Sequence, residues 1–358
     1  MKDYIYISSR FLTQPITGVQ RYAIELSKAI KKLNEEKYKY RIKFVSPPNI
    51  IHHDVANYLE VKTIGKLKGQ LWDQISLLRF LKSNGDPLVI NFSNTLPVFY
   101  KNKIVTIHDI IHLKFPVSYS YRKYYEIVFP LMLKYSKHII TVSEFSKREI
   151  ANYYGIDEKK ITVIYNGVSE KFKPRKIDTT EKYILGVSSI AYHKNFINLI
   201  KAYQRLKTKN IKLYIVGGLN YKIFGKNSQR IIKAIKNNEN IKFFGRVSDD
   251  KLIELYSNAL CFVYPSLYEG FGIPPLEAQA CGCPVVLSDI PVFREVYGNS
   301  AMYFNPLDPQ DIADKIDLVL SNNSLRDDLS MKGLENSKKY TWKRSAEEFF
   351  KVLKKAEE

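Results

Sequence analysis

Glu269 and Glu277 stand with seven residues between them in "YEGFGIPPLEAQACGCPVV", flanking Gly270, Gly272 and a Pro274-Pro275 pair. Carboxylates accept hydrogen bonds from hydroxyls, and the glycines let the backbone approach a ligand closely. Proline is tolerated in the first turn of a helix, and the free amides there favour a phosphate. Acids beside phosphate-seeking amides suit a ligand that carries phosphate and hydroxyls together, as a nucleotide sugar does. The turn alone fits equally a helix-capping Glu277 and a solvated Glu269. Its expected geometry places Glu277 in the first turn of a helix ended by Gly282. Glu269 then stands at the carboxyl edge of the strand "CFVYPS", where open α/β sheets bind ligands.

Two more residues could join such chemistry. Lys194, in "HKN", could neutralise a diphosphate, or it could be a solvated lysine opening a helix. His108 ends the strand-like "KIVTIHD" beside Asp109, a position that suits a ligand site and a satisfied structural histidine alike. His112 follows four residues on, but no third ligand completes a metal site. The three cysteines, Cys261, Cys281 and Cys283, lie in apolar surroundings. They lack metal-ligand spacing and read as buried thiols in a reducing compartment.

The elements that must hold these residues alternate. "YILGVSS", "IKLYIVGG", "IKFFGRV", "ALCFVYPS" and "PVVLSD" read as strands, with helical stretches such as "KNFINLIKAYQRLKTK", "QRIIKAIKNN" and "DDKLIELYSNA" between them. In the first of these helices Phe196, Leu199, Ile200, Tyr203 and Leu206 share a face. The first half repeats the pattern in "YIYISS", a helix from about Val19 to Leu33, "YRIKFVSP", "PLVINFSN", "KIVTIHD", "HIITVSEF" and "ITVIYNGV". Alternation of this kind implies parallel sheets covered on both faces. A charged, aperiodic stretch at residues 168–182 reads as a linker. The expected architecture is α/β, with two doubly wound Rossmann-like domains facing a cleft. The first covers residues 1–168, with the amphipathic helix 341–358 packed back on it, and the second residues 169–340.

The motif Glu269-x7-Glu277 resembles the signature of the retaining glycosyltransferases of family 4, which have the GT-B fold. "TGVQRY", "VTIHD", "TVSEFSKREI", "VIYNGV", "HKN", "FFGRVSDDKLIELYSNA" and "SDIPVFREVYG" resemble further family blocks, in family order over nearly the whole chain. The resemblance implies that Glu277 holds the ribose hydroxyls and Glu269 the transferred hexose. It also implies that Lys194 neutralises the diphosphate and that His108, with Asp109, lies near the donor sugar. Gly18 would let the donor diphosphate approach the N-terminal domain, and Gly270, Phe271, Gly272 and Ile273 would contact sugar and phosphate. Arg21 reads as the polar face of its helix. Many family members carry an arginine five residues before the lysine; this chain has Ser189 there. His193 or Arg246 could supply the missing cation. The family needs no metal and no cofactor beyond the donor. The resemblance implies a front-face transfer with retention of configuration.

The form "HKN" with Ser189 is most similar to the mannosyl- and rhamnosyltransferase branch of bacterial surface polysaccharide synthesis. GDP-mannose is therefore the favoured donor, with dTDP-rhamnose or a UDP-sugar as the alternative. The implied acceptor is a polyprenyl-diphosphate-linked glycan. The net charge of +20 calls for an anionic partner. Residues 1–168 carry 26 basic against 14 acidic side chains. Docking on an anionic membrane through Tyr119, Tyr121, Tyr124, Tyr125, Arg122 and Lys123 would meet that demand. The expected location is the cytoplasm, peripheral at the inner face of the cytoplasmic membrane, since no uncharged apolar run reaches about 18 residues. A basic nucleic-acid-binding protein is the rival class. No nucleic-acid module appears, and the acidic motif would repel phosphates that offer no hydroxyls.

Overall fold

The computed structural model describes residues 4–115, 119–175, 181–218, 229–235 and 238–357. The chain divides into two compact units, Met1–Gly167 with Thr341–Glu358, and Val168–Tyr340.

The first unit is built on a seven-stranded parallel sheet: β1 (Ile5–Ser8), β2 (Ile42–Ser46), β3 (Lys62–Thr63), β4 (Val89–Asn91), β5 (Lys103–Thr106), β6 (His138–Thr141) and β7 (Ile161–Val163). Its order is β3-β2-β1-β4-β5-β6-β7. Every residue of β1, β4, β5 and β6 is buried, as strands covered on both faces require. Helix α1 (Gly18–Leu33) starts with a capping box between Thr17 and Gln20 and turns Tyr22, Ala23, Leu26, Ile30 and Leu33 inward. Helix α2 (Tyr119–Lys134) buries Tyr125, Phe129, Met132 and Leu133.

The second unit holds a six-stranded parallel sheet: β8 (Tyr183–Val187), β9 (Lys212–Val216), β10 (Ile241–Phe243), β11 (Cys261–Tyr264), β12 (Val285–Ser288) and β13 (Met302–Phe304). The order is β10-β9-β8-β11-β12-β13. Helices α3 (Phe196–Arg205), α4 (Asp249–Asn258), α5 (Ile273–Ala280) and α6 (Pro291–Tyr297) belong to this unit. Phe196, Leu199 and Ile200 from α3 pack with Ile184, Leu213, Ile215, Val263 and Val286 of the sheet. The expected face of that helix holds, and Tyr203 closes it by donating to the Ile211 carbonyl at 2.6 Å.

Strands β3 and β13 were not legible. One is two exposed residues and the other a short half-buried edge, so neither carries an apolar run. The expected linker begins at the boundary between the two units. Its described residues open the second unit, and Phe172 is buried beside Tyr256 with ring centroids 6.3 Å apart. Residues 176–180 of that stretch lie outside the described residues.

Helix α7 (Trp342–Glu357) packs against α1 in the first unit. Trp342 meets Tyr22 edge-on at 5.8 Å, and Phe350 stacks on Tyr38 at 3.9 Å. Ser345 donates to the Tyr165 carbonyl at 2.7 Å. Gly167 lies so close to this crossing that a Cβ on it would come within 2.4 Å of the Trp342 amide nitrogen and 2.7 Å of the Thr341 carbonyl carbon. Backbone cannot yield as a flexible side chain does. Gly167→Ala is therefore expected to cost about 2 kcal/mol by overpacking. Urea denaturation of wild type and variant measures it, and equal midpoints would refute the close packing.

Candidate active site

Strand order reverses between β8 and β11, which pair directly, while β9 and β10 continue one way and β12 and β13 the other. Loops leaving the carboxyl ends of such neighbours diverge and leave a crevice. Lys194 leaves β8 through a short 3-10 turn, Tyr192–Lys194, and Glu269 leaves β11. The loops are tied together where the Leu267 amide donates to the His193 carbonyl at 2.7 Å.

At this point Lys194 Nζ lies 2.6 Å from Glu269 Oε1 and donates to the Tyr264 hydroxyl at 3.1 Å. The two side chains are only 14% and 10% exposed. Burial alone would push the Glu269 carboxyl up; the charge and hydrogen bond of Lys194 outweigh it and hold the carboxyl below its usual range. Burial likewise opposes the Lys194 charge, and Glu269 raises its pKa above the ordinary lysine value.

Glu277 is also buried, on α5, and accepts from the Tyr256 hydroxyl at 3.3 Å. It falls in the second turn of α5, not the first, because the helix begins at Ile273. Gly272 caps that helix at φ +98°, in the left-handed region. A Cβ there would come within 2.8 Å of Phe293, so the site needs glycine for both conformation and space. The Tyr297 hydroxyl holds the Gly272 carbonyl from behind. Gly270, Phe271 and Ile273 are buried in the same turn. Gly282 follows the end of α5 at φ +76°, as its expected stop role requires.

The candidates around the missing arginine separate clearly. Ser189 is exposed. Burial, reinforced by the neighbouring Lys194 charge, pushes His193 down to about 3, so the ring is neutral near pH 7 and supplies no cation. Arg246 follows β10 and is exposed; a Cβ on Gly218 would lie 2.9 Å from its Nε. Its guanidinium thus lies over the backbone that follows β9, which leaves it as the permanent cation of the two.

In the first unit, Gly18 opens α1 where a Cβ would meet nothing within 4 Å. His108 follows β5 and is buried, edge-on to Tyr22 at 4.8 Å. Its Nε2 lies 3.0 Å from the Phe92 carbonyl. Burial pushes its pKa down to about 4. The neutral ring must therefore keep its one proton on Nε2, because a carbonyl only accepts, and Nδ1 retains a lone pair. Asp109 caps the following turn through the Ile111 amide at 2.9 Å. His112 is packed on Tyr125 with centroids 3.4 Å apart. Among the described residues no group of three or more His, Cys, Asp or Glu could hold a metal ion. The residues that sequence reasoning missed are Tyr256 and Tyr264, whose hydroxyls engage Glu277 and Lys194. Their strand and helix positions gave only a core signal.

Fold and site together define a protein of two parallel-sheet α/β units, with a buried Lys194–Glu269 pair where the second sheet reverses its strand order. The glycosyl transferases group 1 model matches residues 168–336 and the Glycosyltransferase Family 4 model residues 16–172. The chain is 33% identical over 307 residues to the O-antigen chain mannosyltransferase RfbU of Salmonella typhimurium, covering 82% of this chain and 84% of that one. It is 27% identical to the O-antigen chain mannosyltransferase B of Escherichia coli, over 94% and 96% of the two chains. The crystal structure of Anabaena Alr3699/HepE in complex with UDP and glucose superposes with a TM-score of 0.79 at 15% identity, covering 99% of this chain and all of that one. The fold is GT-B, and the chain belongs to glycosyltransferase family 4.

The ion pair yields a pH prediction. A carboxyl held below its unfolded value contributes stability that is complete above the ordinary 4.5 and is lost as pH falls through the folded value. Glu269→Gln is expected to cost about 3 kcal/mol at pH 7, by leaving Lys194 buried without its counter-charge. It should also flatten the acid limb of the stability profile. Urea unfolding between pH 7 and 3.5 checks both, and parallel acid limbs in the two proteins would contradict the pairing.

Proposed function

We propose that this glycosyltransferase moves a hexose, with mannose from GDP-mannose favoured, onto a lipid-diphosphate-linked glycan in bacterial surface polysaccharide synthesis, with retention of configuration and without a metal. The observation that carries the reading is the buried Lys194–Glu269 pair at the strand-order reversal, with Glu277 buried on the helix that follows. Glu277 accepts from the ribose hydroxyls, and Glu269 from the hexose. Lys194, with Arg246 as second cation, neutralises the diphosphate, and the amides from Gly270 to Ile273 line its path. His108 Nδ1 accepts from a hydroxyl of the donor sugar, and Gly18 leaves room for the diphosphate. Glu269 is engaged by a cation and is a poor nucleophile in that state. A front-face transfer, in which the departing diphosphate takes the acceptor proton, fits this better than a covalent intermediate. The protein then contributes orientation and stabilisation of the charge on the leaving group. The mannosyl assignment draws on the names of the relatives.

Thermal unfolding tests the donor. GDP-mannose at a hundredfold excess over its Kd adds about 2.7 kcal/mol. That raises Tm by roughly 5–10 °C for a unit of this size. The shift should be absent in Glu277→Ala. A shift with dTDP-rhamnose or a UDP-sugar alone reassigns the donor, and indifference to every nucleotide sugar refutes the site.

The acceptor side rests on the exposed face of α2. No described helix is long and apolar enough to cross a membrane. The expected docking tyrosines need correction. Tyr125 is buried against His112 and Phe129, because the inward stripe of α2 runs through it, and the side chains of Tyr119 and Tyr121 lie outside the described residues. The outward stripe instead carries Ile127 and Leu131, 60% and 38% exposed, and Phe99 is 70% exposed beside Tyr135. Lys101, Arg122, Lys123, Lys134 and Lys137 are exposed close to them in sequence. Apolar residues among exposed lysines suit peripheral docking on an anionic cytoplasmic leaflet. Co-sedimentation should occur with vesicles containing phosphatidylglycerol, fail with phosphatidylcholine alone, and drop severalfold in the double variant Ile127→Glu, Leu131→Glu. Unchanged binding by that variant would eliminate the surface.

A further inference from the structure

The first unit contains a buried ion pair that none of the donor roles uses. Arg10 follows β1, and its Nε lies 3.0 Å from Asp73 Oδ2, with side chains 10% and 0% exposed. The Arg10 guanidinium also donates to Thr95 Oγ1, and Thr95 Oγ1 donates to Asp73 Oδ2 at 3.0 Å. The three side chains come from three separate stretches of the chain and close a ring of contacts around one hydroxyl.

That hydroxyl belongs to the loop after β4. Thr95 lies three residues past Phe92, whose carbonyl receives His108 Nε2 at 3.0 Å. The intervening turn is tight. Asn94 sits at φ +71°, in the left-handed region, and its Oδ1 is buried without a partner among the described residues. The Thr95 amide donates to the Ser93 carbonyl at 3.1 Å, and Asn91 Nδ2 donates to the Thr95 carbonyl at 2.8 Å. Asn91 is itself held from β5, through the Thr106 amide at 3.1 Å and the Thr106 hydroxyl at 2.7 Å. Gln74, next to Asp73, binds the far end of the same loop through the Leu96 carbonyl and the Val98 amide. The direction of the Phe92 carbonyl is therefore fixed from both ends of a strained turn.

We infer that Arg10, Asp73 and Thr95 are positioning residues for His108: they lock the turn whose Phe92 carbonyl keeps the imidazole proton on Nε2 and leaves Nδ1 as the acceptor. The inference rests on the reading in which His108 Nδ1 meets the donor sugar. Net stability is a weak account of the cluster. Burial pushes the Asp73 carboxyl up to about 6 against the pull of Arg10, and its Oδ1 is buried without a partner among the described residues. Buried ion pairs are on average no better for stability than apolar replacements, and their best-attested use is to fix one arrangement among several. What this pair fixes is the turn beside His108. The tautomer of a histidine is set by the partner of its other nitrogen, so a rotated Phe92 carbonyl would release the proton to either side.

The test uses the full chain with 15N-labelled histidine. His108 resonances are identified by their loss in His108→Asn. Wild type should show a protonated Nε2 and a bare Nδ1. Thr95→Val keeps the branched shape and removes the hydroxyl; it should move the His108 resonances towards a mixture of tautomers. It should also lower kcat about tenfold, the scale of a small misplacement, with donor KM changed less than about twofold. Thr95→Ser should restore both. Unmoved His108 resonances in folded Thr95→Val, or a kcat loss that Thr95→Ser does not recover, would overturn the inference. If Thr95→Val does not fold, Asp73→Asn, which keeps the size and removes the charge, is read by the same two measurements. The resonance measurement needs no substrate. Resonances that move in a chain without transferase turnover would count against the donor reading alone, and unmoved ones in an active chain against this inference alone.

Discussion

A charged lysine taken out of water is costly unless paired, and at the reversal of the second sheet Lys194 meets Glu269 at 2.6 Å. Most of the surrounding construction serves that contact. Tyr264, at the end of β11, gives Lys194 a further oxygen. The backbone bond from Leu267 to His193 draws the two loops together. Gly272 bends the chain into α5 where a side chain would strike Phe293. The pair neutralises its own site; on the proposed reading a diphosphate competes with Glu269 for the lysine, while the hexose hydroxyls offer that carboxylate donors in exchange. A ligand with only one of the two chemistries makes half the exchange and leaves a buried charge without a partner.

The first unit solves a different problem with a neutral group. His108 is desolvated, and its Nε2 hydrogen bond is to a backbone carbonyl. The ring can accept through Nδ1 but cannot act as a cation near neutral pH. An acceptor that does not titrate in the physiological range keeps its function fixed while conditions vary. That arrangement depends on the direction of one carbonyl, which a short turn alone would leave loose.

How much of this was legible in sequence depended on distance along the chain. The placement of Glu269 after a strand and of Glu277 on the next helix was legible because strand, glycines, prolines and helix lie within one short segment. The carboxyl-edge placement of His108 was equally local. Arg10 and Thr95 are 85 residues apart, and no periodicity joins them, so their contact exists only once β1 and β4 lie side by side. Tyr125 misled for a related reason. It sits among basic residues and looks interfacial, but spacing with Phe129 and Met132 turns it inward, and Ile127 and Leu131 take the outer face. Neutral His193 was likewise hidden, because burial decides its charge and burial is a property of the fold.

The distribution of charge separates the two partners. In the second unit Lys194 is matched by the Glu269 carboxylate and His193 is neutral, so this pair adds nothing to the net +20. The excess lies on exposed side chains, and the first 168 residues have 26 basic against 14 acidic groups. A small donor with a few negative charges needs only the local cations around Lys194 and gains little from a distant basic surface, since salt screens such fields beyond about 8 Å. An extended anionic surface, in contrast, meets many lysines at once, and each adds about 1 kcal/mol near the plane. Ile127, Leu131 and Phe99 are exposed apolar residues close in sequence to several of those lysines. On the proposed reading, the excess charge serves an extended anionic surface rather than the donor, and a variant stripped of surface lysines should keep donor affinity while binding anionic vesicles less.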